Sequence, residues 1–274
     1  MIVVHLLGGL GNQLFQYSLG RKLSIIKNTT LKLNIRDFST FYKLHKYSLN
    51  HFNIKEEFAT NDEINYLISN TSPLFFEPND LTFNENVFNI PENYYLSGYW
   101  QCEKYFKDIE SILMKDFTIK NEISGKNKEI SNLILNTISI SMHIRRTDFV
   151  TNKQVNQLLG TCSIEYYLKS MDIMAKKFND PYFFIFSDDL KWVKKNIPIK
   201  YSYTYVDHNN ADTNYEDLRL MSLCNHNITA NSSFSWWGAY LNKNKEKIVI
   251  SPKVWWGGSV FNDKDIVPNT WLRV

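Results

Sequence analysis

Residues 139–148 read Ser-Ile-Ser-Met-His-Ile-Arg-Arg-Thr-Asp, an apolar run that ends in concentrated charge. Ile140, Met142 and Ile144 alternate with Ser141, His143 and Arg145. Side chains alternate faces along a strand, so His143 and Arg145 point the same way. Arg146 and Asp148 follow where the strand must end. Open α/β sheets bind ligands at the carboxyl ends of their strands, and a forked guanidinium there suits a phosphate. The same residues also suit an Arg–Asp ion pair that ties down a loop.

Three further corners carry similar chemistry. Gly9-x-Gly11, followed by Asn12 and Gln13, forms a turn into a helix. Its glycines let backbone approach a phosphate or sugar, and the two amides either cap the helix or meet that ligand. Leu14 stands where a dinucleotide fingerprint needs a third glycine, although Asp37 lies near the place of a ribose-binding acid. A nicotinamide enzyme is therefore disfavoured. Phe186-Ser187-Asp188-Asp189 ends another apolar stretch. One carboxylate caps the next helix. The other is free at the sheet edge, where it can accept two parallel N–H bonds such as those of guanine N1 and N2. Asn231-Ser232-Ser233-Phe234 makes a second anion cradle at a helix start, with Trp236, Trp237 and Tyr240 read as packing. Asp263-x-Asp265 resembles a metal dyad, but no strand precedes it, so it reads as solvated surface and no metal site is expected.

These corners need a parallel α/β frame. A strand over 2–6, a helix over 12–27 with Leu14, Tyr17, Leu19, Leu23 and Ile26 at helical spacing, and a strand over 30–35 make one β–α–β unit. Residues 36–91 are polar, aromatic and irregular apart from a capping box, Thr60-x-x-Glu63, that opens a helix through residue 68. A strand over 94–98 and a helix over 103–114 follow. Residues 119–129, rich in Lys, Asn and Glu, are the linker candidate. A second alternation then runs through strands at 138–144, 182–186, 201–206, 226–230 and 247–250. Its helices lie at 163–178, 190–196, 213–224 and 233–241, with a long loop to Gly160. The expected architecture is two Rossmann-like domains facing a cleft, 1–125 and 126–274.

Composition narrows the class. With 274 residues, 43% apolar and 22% charged, the chain can build one large or two modest cores. A net charge of +3, from 31 basic and 28 acidic residues, is too mild to argue for nucleic acid. Aromatics at 15% and abundant Asn suit a sugar site as well as a core. Cys102, Cys162 and Cys224 are far apart and form no disulfide framework. The first residues read as a strand rather than a signal peptide, and no run is long enough to span a bilayer. A cytoplasmic protein is expected, compatible with peripheral attachment at the inner membrane.

Together the motifs resemble glycosyltransferase family 11, the α-1,2-fucosyltransferases. The matching segments are GGLGNQLFQYSLGR at 8–21, GYWQCEKYF at 98–106, HIRRTD at 143–148, FSDD at 186–189, and Asp217-Leu218 through NSSFSWWGAYL at 231–241. The His-x-Arg-Arg motif is shared with α-1,6 and protein O-fucosyltransferases, so it marks GDP-fucose use more surely than linkage. The resemblance implies a GT-B fold and a bacterial enzyme of surface-polysaccharide or O-antigen synthesis. Its expected reaction is transfer of fucose from GDP-β-L-fucose to the 2-hydroxyl of a terminal β-galactoside, with inversion and without a metal or other cofactor. Lipid-linked acceptors would account for any membrane attachment. Implied donor contacts are Gly9, Gly11, Asn12, Gln13, His143, Arg145, Arg146, Asp188, Asp189, Asn231, Ser232, Ser233 and Phe234. Arg145 would stabilise the departing phosphate, Asp148 is the nearest candidate base, and Gln101 is an acceptor contact. The first domain would bind the acceptor and the second the donor. The rival readings are a fucosyltransferase of other linkage and a non-catalytic sugar binder on the same fold.

Overall fold

A computed structural model describes residues 1–40, 45–70, 75–78, 81–147, 150, 152–258 and 261–274. The chain divides into two compact units: Met1–Asn121 with Phe261–Ile266, and Glu122–Val260 with Val267–Val274. Among the described residues no helix is long and apolar enough to cross a membrane.

In the first unit, β1 (Ile2–His5), β2 (Leu31–Asn34), β3 (Phe75–Phe76) and β4 (Tyr94–Ser97) form a parallel sheet in the order β2-β1-β4-β3. Ile2 pairs with Leu31 on one side and Tyr94 on the other. Ile2, Val3 and Val4 are at most 1% exposed, the continuous apolar pattern of a strand covered on both faces. Helix α1 (Leu10–Ile26) returns the chain from β1 to β2 and is buried nearly all round. Its Gly20 permits this seat, because a Cβ there would lie 2.4 Å from Val4 Cγ2 and 2.8 Å from Leu31 Cδ1. Ile26, expected inside, falls in the last turn and is exposed.

The capping box is complete: Glu63 N–H donates to Thr60 Oγ1 and Thr60 N–H to Glu63 Oε2, opening α2 (Asn61–Asn70). The helix expected over 103–114 is instead two 3-10 turns, Glu103–Tyr105 and Lys107–Ile109, before α3 (Glu110–Asp116). Phe106 departs from helical geometry at φ −147° and buries its ring completely, so packing overrides propensity. Asp265 corrects the solvated-surface reading. It is 8% exposed, accepts from Phe83 N–H and pairs with Lys104. Against the cost of burial, these two partners hold its carboxyl below the usual range.

The second unit contains α4 (Gly125–Leu135), β5 (Ile138–Ile144), α5 (Lys153–Leu159) and α6 (Ile164–Lys177). It continues with β6 (Pro181–Ser187), α7 (Leu190–Asn196), β7 (Ser202–Tyr205), α8 (Asn214–Leu223) and β8 (His226–Ile228). Helix α9 (Ser233–Tyr240), β9 (Val249–Ser251) and β10 (Leu272–Arg273) complete it. The strands form a six-stranded parallel sheet in the order β10-β9-β8-β5-β6-β7. Ile140, Met142, Ile144, Phe183, Ile185, Ile228 and Ile250 fill one core with Tyr167, Met171 and Met174 of α6. Burying each such side chain contributes about 1.5–3 kcal/mol against its exposed state. Ser163 Oγ accepts from Tyr166 N–H and Asp189 Oδ1 from Trp192 N–H, capping α6 and α7 as their sequences predict.

Three features depart from what the sequence indicates. Thr213-x-x-Glu216 has capping-box spacing, yet Thr213 does not cap α8; its hydroxyl accepts from Asn210 N–H, while Glu216 pairs with Arg219. Helix α5 interrupts the expected loop to Gly160. The two-residue β10 was too short to leave a periodic signal.

Candidate active site

The strand order sets where a ligand can sit. From β5 the chain builds β6 and β7 on one side, then crosses to build β8, β9 and β10 on the other. Carboxyl ends of β5 and β8 therefore flank the reversal point of this sheet, where α/β units open a crevice. His143 and Arg145 stand at the end of β5, and Asn231–Phe234 at the end of β8. The His143 and Phe234 rings lie 5.6 Å apart, so tertiary structure joins these corners.

His143 is 5% exposed, and its Nδ1 has no hydrogen-bond partner in the structure. Burial pushes the imidazole down to about 4, with Asp188 pulling upward and Arg145 downward. The ring is neutral at pH 7, able to meet a polar ligand atom without adding charge. Arg145 keeps 24% of its side chain exposed, and its Nη1 lies 2.9 Å from Asp188 Oδ2. On the β8 side, Ser232 starts α9 in extended geometry and makes no side-chain cap bond. Ser233 and Phe234 supply the first helical amides, in the polarity that attracts phosphate.

Several expected ligand contacts have partners within the protein. Asp188 is not a free carboxylate. It accepts from Arg146 N–H at 2.9 Å, Thr147 N–H at 3.2 Å and the Thr147 hydroxyl, besides pairing with Arg145. Asp189 caps α7. The Arg146 guanidinium lies 3.4 Å from the centre of the Trp192 ring, with Asp189 3.9 Å from its Nε, so it braces the corner. Asn231 donates to the carbonyls of Leu159, Gly160 and Trp255 and accepts from Cys162 Sγ. Asp148 lies outside the described residues.

One group the sequence reading left unassigned stands out. Asp217, in the first turn of α8, is pushed up to about 7 by burial, which its bond from Asn209 Nδ2 only partly offsets. Its signal was a carboxylate inside an otherwise apolar helix face.

In the first unit β1 and β4 flank the equivalent reversal. Gln101 Nε2 donates to Asn12 Oδ1 at 2.7 Å, joining two expected site residues 89 positions apart. Gln101 is 8% exposed, and its Oε1 is buried without a partner. Gln13 donates to the carbonyls of Gly8 and Lys46 and accepts from Ser48 N–H. Gly9 is the N-cap of α1, and Gly11 is buried in its first turn. Asp37 pairs with His5 Nε2 at 2.9 Å, so the acid near the ribose position of a dinucleotide fold is engaged elsewhere. Among the described residues no group of three or more His, Cys, Asp or Glu is placed to hold a metal ion.

The chain is similar to known proteins along nearly its whole length. The alpha-1,2-colitosyltransferase of Escherichia coli is 35% identical over 289 residues, spanning 100% of this chain and 99% of that protein. The O-antigen biosynthesis glycosyltransferase WbnK of Escherichia coli is 27% identical, covering 97% and 98%. Among solved structures, the alpha-1,6-fucosyltransferase NodZ soaked with GDP-fucose aligns over 88% of this chain and 91% of its own, with a TM-score of 0.54 at 15% identity. That likeness concerns the fold, which is of the GT-B type with its parallel α/β units. The model of glycosyl transferase family 11 matches residues 1–273, and the chain is a member of that family.

Proposed function

We propose that the protein transfers L-fucose from GDP-β-L-fucose to the 2-hydroxyl of a terminal β-galactoside, with inversion, during O-antigen or other surface-polysaccharide synthesis. The observation that carries this reading is the β5–β8 corner. A partly exposed Arg145 there adjoins a buried neutral His143 and the α9 N-terminus. Acceptor O2 bonds to the anomeric carbon while the bond to the β-phosphate breaks. GDP leaves with that electron pair, and the acceptor proton passes to a base, for which Asp148 is the sequence candidate. Charge develops on the departing phosphate, and Arg145 with the Ser232, Ser233 and Phe234 corner stabilises it there without a metal. His143 contacts the nucleoside or phosphate. Gln101 is the acceptor contact, and its amide is held by Asn12, an expected donor contact.

A second donor is favoured by one observation, the full-length match to a colitosyltransferase. Colitose is fucose without its 3-hydroxyl, so the same anion site would serve both sugars. The test is GDP release from GDP-fucose and from GDP-colitose, with and without a β-galactoside, in chelator, with the product linkage read by NMR. Acceptor-dependent release that survives chelation and gives an α-1,2 bond is expected. Release only from GDP-colitose would replace the fucosyl reading, and release from neither would end both.

A further inference from the structure

Glu77 follows directly on β3 and reaches across to the turn that leaves the neighbouring strand β4. Its Oε2 accepts from Tyr99 N–H and its Oε1 from Trp100 N–H, each at 2.7 Å. Two consecutive backbone donors thus converge on one carboxylate. The turn they hold is not one that a chain adopts unaided. Trp100 sits at φ +57° and Gly98 at φ +158°, regions that L side chains rarely occupy. A Cβ on Gly98 would come within 2.8 Å of Glu77 Cβ and 2.9 Å of Trp100 Cε2. Backbone and carboxylate are fitted to one another.

The turn presents two groups that packing does not require. Tyr99 is 39% exposed, a flat apolar ring with a polar tip. Gln101 Oε1 is a buried acceptor with no donor, while the amide nitrogen of the same side chain is fixed on Asn12. An acceptor without a donor lacks a hydroxyl or N–H group, and most such buried atoms in proteins are satisfied. An exposed ring face at Tyr99 and, two residues on, a buried acceptor that lacks a donor are groups of the kind that meet the C–H face and a hydroxyl of a pyranose.

We propose that the Gly98–Gln101 turn, with Asn12 beside it, is the subsite for the acceptor sugar, and that Glu77 is the positioning residue that gives the turn its shape. The inference rests on the glycosyltransferase reading above. Gln101 Oε1 accepts a bond from a sugar hydroxyl, and Tyr99 covers the ring's apolar face. Glutamine at position 77 would not substitute, because its amide would turn N–H groups toward backbone N–H groups.

The test separates acceptor from donor. Glu77→Gln and Gln101→Met should each raise the acceptor KM at least tenfold, and in Glu77→Gln the donor KM and acceptor-independent donor hydrolysis should stay within twofold. Glu77→Asp, which keeps an acceptor-only carboxylate, should recover part of the loss. A purely structural role would lower the melting temperature and depress every parameter together. An unchanged acceptor KM in folded Glu77→Gln, or a loss confined to kcat or the donor KM, overturns the proposal. Should Glu77→Gln fail to fold, Gln101→Met and Tyr99→Ala carry the same comparison. If the wild type transfers neither fucose nor colitose, the functional reading fails first. Saturation-transfer NMR with N-acetyllactosamine then decides the subsite: binding lost in Gln101→Met supports it, and equal or absent binding in both proteins refutes it.

Discussion

Asp188→Asn tests how the β5 corner is held. The carboxylate takes two backbone N–H groups, one hydroxyl and one guanidinium, and it is 20% exposed. Asparagine retains a single acceptor oxygen and turns its amide toward donors. One backbone N–H is left without a partner, which costs about 1–3 kcal/mol. The partly exposed pair with Arg145 is lost as well, for up to about 1 kcal/mol. Stability should fall by about 2–3 kcal/mol, or about 5–10 °C in melting temperature for a unit of this size. Turnover should fall too, because Arg145 loses the group that aims it. The nucleotide assay distinguishes this account from guanine recognition. IDP lacks the 2-amino group of GDP, so an anchoring carboxylate predicts that GDP and IDP affinities drop in parallel. If the variant melted like the wild type and lost affinity for GDP but not for IDP, Asp188 would be reading the base and the anchoring argument would be wrong.

Other outcomes follow from the same geometry. Arg145→Ala should lower kcat by about 10²–10³-fold in the GDP-release assay, as loss of one developing-charge stabiliser does elsewhere, with the melting temperature little changed. Arg146→Ala removes the stack on Trp192 and should cost about 1–2 kcal/mol in a denaturant titration. His143 is buried neutral, its folded pKa lowered to about 4 from an ordinary 6.5. Its stabilising contribution is therefore complete above pH 6.5 and lost as pH falls toward 4, at up to about 1.4 kcal/mol per pH unit. Calorimetry across pH 4–7 should show that slope together with the one from His226, which burial also lowers to about 4, and His143→Gln should remove only the His143 share. Gly20→Ala should destabilise by about 1–3 kcal/mol through the overlap with Val4 and Leu31, read by chemical unfolding.

Alternation and capping are local, and most of the fold was legible in them. The β5 and β6 runs, the Thr60–Glu63 box and the Ser163 and Asp189 caps depend on residues a few positions apart, and each forms as its sequence predicts. Signals weakened where an element was short, as in β10, or where a single ring had to be buried, as at Phe106. The candidate corners were legible as well, since each is a strand end followed by polar residues and a helix start.

The residue sequence by itself determined two parallel α/β frames and the segments at their carboxyl edges. Which polar groups at those edges are engaged by the protein itself was decided by the tertiary structure. Gln13 found its partners at Lys46 and Ser48, Asn231 at Leu159, Gly160 and Trp255, and Asp188 on the turn after β5. An amide or carboxylate carries the same chemistry whether it braces backbone or binds a sugar. The difference lies in donors and acceptors tens of residues away, and those are brought within hydrogen-bonding distance only when the sheets assemble.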